Sequence, residues 1–308
     1  MHFSLAMSAQ DDLRRALALR FGIGKCSLRL VEERDAGTPG GAGLRVMTYD
    51  TGAGPGIAEP VMGWLTHPLT PPPWPVVLVI HAHGNRHDIG ARELMEGRPA
   101  ISRPLGPDLT SRGFAALCLD LPCFGARNGE SESAAAKAAL WQGESLAGRM
   151  LAELSAQVAW LSQDPRFDPG RIGVYGLSMG ATLGCWLAAV EPRVAALAQL
   201  CCFADIGQLI ESGAHDLHGL YLTVPGLPAL ARNGQIAGLV APRPQLVCVG
   251  ALDPLTPPDA LDVAITDLRA AYAGSEHALD VLVEPETGHV ETPAMRDRVM
   301  GFFDRTLN

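Results

Sequence analysis

No stretch of this sequence approaches the roughly 18 consecutive apolar residues of a membrane-spanning helix. The longest candidate, Val76 to Ile80, has the length of a buried strand. Basic runs are missing too: Lys plus Arg is 24 against 33 for Asp plus Glu, a net charge of −9. Phosphate binding needs clustered Lys and Arg, so the balance argues against a nucleic-acid partner. Met1 to Arg20 lacks the basic start, apolar run and small-residue cleavage site of a secretory signal. Asp11, Asp12, Arg14 and Arg15 suit a surface helix instead. The seven cysteines contain no Cys-x-x-Cys pair, and their odd number does not suit a disulfide framework. Cys118 and Cys248 lie in apolar runs, where a free thiol acts as a small hydrophobe. The cysteines therefore read as reduced core residues of a cytoplasmic protein. No internal repeat is found.

What is present is the composition of a globular domain. The 308 residues are 47% hydrophobic and 19% charged, near the upper size for one domain. From Pro75 onward short apolar runs alternate with helical patterns. The runs are Val76 to His81, Phe114 to Asp120, Arg171 to Tyr175, Val194 to Cys201, Pro244 to Gly250 and Leu279 to Val283. Near-continuous apolar strands imply burial on both faces, as in a parallel sheet covered by helices. Helices are expected over Trp141 to Leu161, Met179 to Val190, Pro258 to Tyr272 and Thr292 to Leu307. The last opens on a Thr292 cap followed by Pro293. This alternation predicts a doubly wound, mostly parallel α/β sheet. Leu44 to Thr51 and Val61 to Thr66 are joined by a Gly-rich link, Gly52 to Gly56, and predict an antiparallel edge at the N-terminal side. Phe203 to Val240 breaks the rhythm. An insertion there lies over the C-terminal strand ends, where ligands bind such sheets, so residues 203–240 are expected to form a small lid within a single domain spanning 1–308.

Gly176-Leu177-Ser178-Met179-Gly180 matches Gly-x-Ser-x-Gly between an expected strand and an expected helix. Glycines without a Cβ allow strand and helix to approach closely around a sharp turn that pushes the serine hydroxyl outward. Ser178 then sits at a helix N-terminus, where the Met179 N–H can face a developing oxyanion. A serine hydroxyl is a weak nucleophile without a base. In sites of this type the partners follow in the order serine, acid, histidine. His289 is the final histidine and lies just past the last strand, whereas His277 precedes that strand and suits the surface. Asp253 follows the penultimate strand and is the candidate acid; Asp259 and Asp262 fall in the next helix. The loop after the first central strand, His81-Ala82-His83-Gly84-Asn85, should supply a second oxyanion donor. The backbone N–H of His83 is favoured, with Gly84 or Asn85 as alternatives. Nothing in the sequence completes a metal site around His81 and His83, and the helical spacing of His215 and His218 suits polar lid residues. No metal and no cofactor is expected.

These segments together resemble the dienelactone hydrolase-like branch of the α/β-hydrolases, and most of all its bacterial acetyl xylan esterase and cephalosporin deacetylase group. Asp120-Leu121-Pro122-Cys123-Phe124-Gly125 is similar to the family's Asp-x-Pro-Gly-x-Gly turn. Ala241-Pro242-Arg243-Pro244 is similar to the segment entering the penultimate strand. Gly250 to Pro258 resembles the acid loop, and Gly288-His289-Val290-Glu291-Thr292-Pro293 the histidine loop. The chain departs from the family at Ala82 and at Cys123, both of which are usually Gly.

The resemblance implies a serine carboxylic ester hydrolase acting through an acyl-enzyme, and the short lid with no large apolar cap suits small to medium acyl groups. A serine peptidase or an acyltransferase on the same scaffold is a second reading, and a binding protein on a dead hydrolase scaffold a third. Ser178 speaks against dienelactone hydrolases proper and haloalkane dehalogenases, whose nucleophiles are Cys or Asp. The expected partner is a small-molecule ester, with no nucleic acid and no membrane. The sequence leaves the oligomeric state open, a homodimer included.

Overall fold

The computed structural model describes residues 8–52 and 60–308. Its strands are β1 (Arg29–Asp35), β2 (Gly43–Asp50), β3 (Val61–His67), β4 (Trp74–Ile80), β5 (Ala115–Leu119), β6 (Phe167–Leu177), β7 (Val194–Leu200), β8 (Gln245–Gly250) and β9 (Leu279–Glu284). Its helices are α1 (Ala9–Arg20), α2 (Glu93–Glu96), α3 (Leu105–Ser111), α4 (Glu132–Trp141), α5 (Leu146–Leu161), α6 (Met179–Val190), α7 (Ile206–Ser212), α8 (Leu227–Leu230), α9 (Asn233–Gly238), α10 (Pro258–Ala271) and α11 (Pro293–Leu307).

Alternation along β4 explains the layering. All seven of its residues are buried. Val76, Leu78 and Ile80 join a core with α1, α5, α6 and α10, while Val77 and Val79 join one with α3 and α11. Successive side chains point to opposite faces, so one apolar strand feeds both helical layers. Packing outweighs propensity here. α6 contains Gly180 and Gly184, each costing about 1 kcal/mol against Ala, yet all twelve of its residues are buried. A fully buried Leu or Trp-sized side chain gains roughly 1.5–3 kcal/mol, so Leu183, Trp186 and Leu187 more than offset the glycines.

The sheet order is β1-β2-β3-β5-β4-β6-β7-β8-β9. Every pairing from β5 across to β9 is parallel, and β1, β2, β3 and β5 pair antiparallel in turn. The expected doubly wound sheet with an antiparallel N-terminal edge is therefore present. Residues 53–56 of the Gly-rich link lie outside the described residues.

Three details differ from expectation. β1 has the sequence Arg-Leu-Val-Glu-Glu-Arg-Asp and shows no apolar alternation. It forms as an edge strand, where charges on the open side discourage pairing with other chains. The helix expected over Trp141 to Leu161 begins only at Leu146, as α5. Trp141 ends α4, Gly143 takes a φ of +75°, and Ser145 caps α5 by accepting the Gly148 N–H at 3.0 Å. The left-handed glycine and the capping serine set the start of the helix, and the apolar stripe from Leu146 to Leu161 lies wholly within it. β6 also begins earlier than Arg171, at Phe167. Among the described residues no helix is long and apolar enough to cross a membrane.

Candidate active site

Ser178 sits between the last residue of β6 and the first of α6, with φ +59° and ψ −119°. A non-glycine residue held there stores about 1–3 kcal/mol of strain. The surroundings over-determine it. The Ser178 N–H donates to the Leu200 carbonyl at 2.8 Å, and the Thr182 N–H donates to the Ser178 carbonyl at 3.1 Å. A Cβ on Gly176 would lie 2.1 Å from the Gly180 carbonyl carbon, and one on Gly180 would lie 2.0 Å from the Ile80 oxygen. Both glycines of the motif are thus required by close backbone approach.

Two further loops converge on this serine. Asp253 follows β8, and its side chain is fully buried. His289 follows β9. The His289 Nδ1 lies 2.7 Å from Asp253 Oδ2, and its Nε2 lies 2.8 Å from Ser178 Oγ. A carboxylate only accepts, so Nδ1 carries the proton and Nε2 keeps a lone pair for the serine O–H. The second carboxylate oxygen accepts the Leu255 N–H at 2.9 Å. The acid and histidine loops hold each other: the Ala251 N–H donates to the Glu284 carbonyl and the Leu252 N–H to the Thr287 carbonyl. Gly250 permits this contact, since a Cβ there would lie 2.2 Å from the Thr287 oxygen.

The histidine loop is also anchored two residues on. Glu291 is 3% exposed and accepts from Arg296 Nε and Nη2 (2.8 and 2.7 Å), from Tyr175 Oη (3.2 Å) and from the Ser102 N–H (3.1 Å).

Residues 81–85 lie beside the turn. His81 is buried, and burial drives its pKa down to about 3, so the ring stays neutral. Its Nε2 accepts the Leu121 N–H at 3.2 Å, a structural role. His83 places its ring against Phe124 and Tyr221, and its Nδ1 accepts the Asn85 N–H at 3.1 Å. Its Nε2 donates to Glu132 Oε2 at 2.8 Å, and the other Glu132 oxygen accepts the Tyr221 N–H at 2.9 Å. Among the described residues, the backbone N–H groups of Met179 and His83 donate no hydrogen bond.

His83, His87 and Glu132 offer ligand atoms within 4.8 Å of one another, a grouping absent from the sequence reading. The Asn85 N–H, however, already uses the Nδ1 lone pair of His83. That leaves the ring proton on Nε2, toward Glu132, where a cation would have to displace it. The group reads as a hydrogen-bonded clamp.

Of the remaining candidates, His218 borders this center, where Asp253 and His289 act on its ring. Asp259 and Asp262 are exposed on α10, and His277 is exposed before β9. His215 and His218 do not act as a pair: each bonds a separate carbonyl, Leu209 at 3.3 Å and Leu255 at 3.1 Å. Sequence reasoning missed Glu93, Arg98 and Glu132, which look like ordinary surface charges in the chain. Glu291 lies inside the quoted histidine-loop motif, so a signal for it existed.

Residues 61–201 match the dienelactone hydrolase family. The chain is also 35% identical over 238 residues to YtaP of Bacillus subtilis (strain 168), which is named provisionally as a hydrolase, covering 76% of this chain and 79% of that one. The chain belongs to the dienelactone hydrolase family. Solved structures extend the likeness in shape. Acetyl xylan esterase 1 from Thermoanaerobacterium superposes with a TM-score of 0.67 at 16% identity, covering 97% of this chain and 94% of that one. A glucuronoyl esterase from Solibacter usitatus gives 0.69 at 13% identity, covering 96% and 92%. These show the α/β-hydrolase fold. As a member of the dienelactone hydrolase family, the protein departs from the usual glycine at Cys123, and the structure shows what that glycine would supply. Cys123 has φ +73°, in the left-handed region. Its thiol is 2% exposed, and burial pushes its pKa up to about 11, which leaves it unreactive.

Proposed function

We propose that this protein is a serine carboxylic ester hydrolase in which Ser178 is the nucleophile, His289 the general base and Asp253 the residue that orients it. The observation that carries this reading is the unbroken hydrogen-bonded chain from Asp253 Oδ2 through His289 to Ser178 Oγ. As Oγ attacks the ester carbonyl carbon, its proton passes to His289 Nε2, and the buried Asp253 carboxylate stabilises the imidazolium. The N–H groups of Met179 and His83 receive the negative charge that develops on the carbonyl oxygen. The imidazolium then protonates the departing alcohol and leaves an acyl-enzyme. Water, deprotonated by the same imidazole, releases the acid and restores Ser178.

The acyl groups are small to medium. Ser178 is only 7% exposed. We take residues 203–240 as a lid-like insertion within the single domain. Its Gly219 packs so tightly that a Cβ there would lie 2.8 Å from His83 Nε2. The neighbours named for acetyl xylan and glucuronoyl esters make esters carried on carbohydrates the first panel to screen.

The test is hydrolysis of p-nitrophenyl acetate together with labelling by a fluorophosphonate. One label is expected, on Ser178, and Ser178→Ala should fold normally while kcat falls by about 10⁶-fold. Labelling elsewhere with Ser178 untouched overturns the nucleophile. Neither turnover nor label across the panel supports a binding protein instead.

A further inference from the structure

We infer that the buried Glu93–Arg98 pair is a positioning device for the oxyanion donor of His83, an inference that rests on the ester-hydrolase reading above. Three consecutive peptide groups carry the argument. The N–H of the peptide joining His81 to Ala82 donates to Glu93 Oε2 at 3.0 Å. The carbonyl of the peptide joining His83 to Gly84 accepts from Arg98 Nη1 at 2.8 Å. Between them lies the peptide of Ala82 and His83. Its N–H is the proposed oxyanion donor, and it makes no hydrogen bond among the described residues.

The two outer peptides are thus each held by one partner of a single ion pair. Arg98 Nε contacts Glu93 Oε2, and both side chains are 2% exposed. Fixing the outer two holds the Cα atoms of Ala82 and His83, so the middle peptide can turn only about the axis joining them, and the sterically allowed φ and ψ of those two residues restrict that turn. The Ala82 methyl adds an apolar anchor in the α3/α11 core. Direction matters because a hydrogen bond weakens steeply below about 120°, and an oxyanion donor acts only if it is aimed before the charge develops. Replacing a buried ion pair by apolar residues is often neutral or stabilising.

That last point provides the discriminating experiment. Kinetics on p-nitrophenyl acetate, inhibition by a trifluoromethyl ketone and Tm are measured for wild type, Ser178→Ala, Glu93→Gln, Arg98→Lys and the double variant Glu93→Met/Arg98→Met. The ketone's hemiketal oxyanion occupies the same place as that of the ester. In the single variants kcat should fall by about 10–100-fold, less than the loss of a whole donor. KM should hold, and the ketone should weaken by the same factor as kcat. The double variant removes both charges but leaves the Ala82 N–H and the His83 carbonyl unpartnered, so Tm should be no lower than in the single variants yet below wild type, while kcat stays low. Recovery of kcat along with Tm overturns the inference and leaves the pair a structural element. So do wild-type kcat and ketone affinity in the single variants. Wild type without Ser178-dependent turnover would instead sink the ester-hydrolase reading, and this inference with it.

Discussion

The turn at 176–180 and the loop at 81–85 pack against each other, yet they are held by different means. The turn is held by shape. Gly176 and Gly180 bring three backbone segments so close that no side chain fits, and a strained serine is the result. The loop is held by charge. Glu93, Arg98 and Glu132, carried on other segments, bond its backbone and its histidine ring. Shape leaves a local trace in the sequence, because glycine is the only residue that satisfies it. Charge leaves none, because any surface glutamate or arginine looks the same until the chain folds.

The contrast predicts different failures on the two sides. Where charge positions a group, rate should be lost while the fold survives. Asp253→Asn tests this most strongly, because the amide lets His289 adopt the wrong tautomer. In a Ser-His-Asp enzyme the same change costs about 10⁴ in kcat, and that loss is expected here with Tm nearly unchanged. Asp259→Asn on exposed α10 should leave kcat at the wild-type value. The reverse pattern in a steady-state assay would reassign the acid.

Where shape positions a group, the fold should fail first. Gly180→Ala places a methyl 2.0 Å from the Ile80 oxygen, a contact that only backbone movement relieves. Destabilisation of about 3 kcal/mol or more is expected, beyond ordinary overpacking. Urea denaturation measures it. A midpoint equal to wild type would mean that the close approach of β4, β6 and α6 is not as tight as the structure has it.

The smallest effect sharpens the charge-held side. If protein groups alone clamp His83, dialysis against EDTA should leave kcat unchanged, and added zinc should not raise it. Activity lost on dialysis and restored by zinc would turn His83, His87 and Glu132 from a clamp into an ion site.

Much of the protein was legible before any coordinates. Parallel strands buried on both faces betray themselves as apolar runs, and β4 is the clearest case. The turn around Ser178 is written in its glycines. Chain order then pointed to Asp253 and His289, because each follows a strand whose C-terminal end faces the same edge of the sheet. β1 was not legible: an edge strand can be mostly charged, and five of the seven residues of Arg29–Asp35 are. The break between α4 and α5 has only a short local signal, the left-handed Gly143 and the capping Ser145.

Local sterics and apolar periodicity, then, were determined by the sequence itself, since both act over a few residues and restrict which residue types fit. Tertiary structure decided what the charges do. Glu93 and Arg98 lie five residues apart, as do Glu291 and Arg296, but Ala82, His83 and Tyr175 reach these charges, and His83 reaches Glu132, only when separate segments meet. A buried hydrogen bond depends on distance and angle that no spacing along the chain encodes. The same holds for the His83 loop: Glu93 lies 11 residues from Ala82, and Arg98 and Glu132 lie 15 and 49 residues from His83.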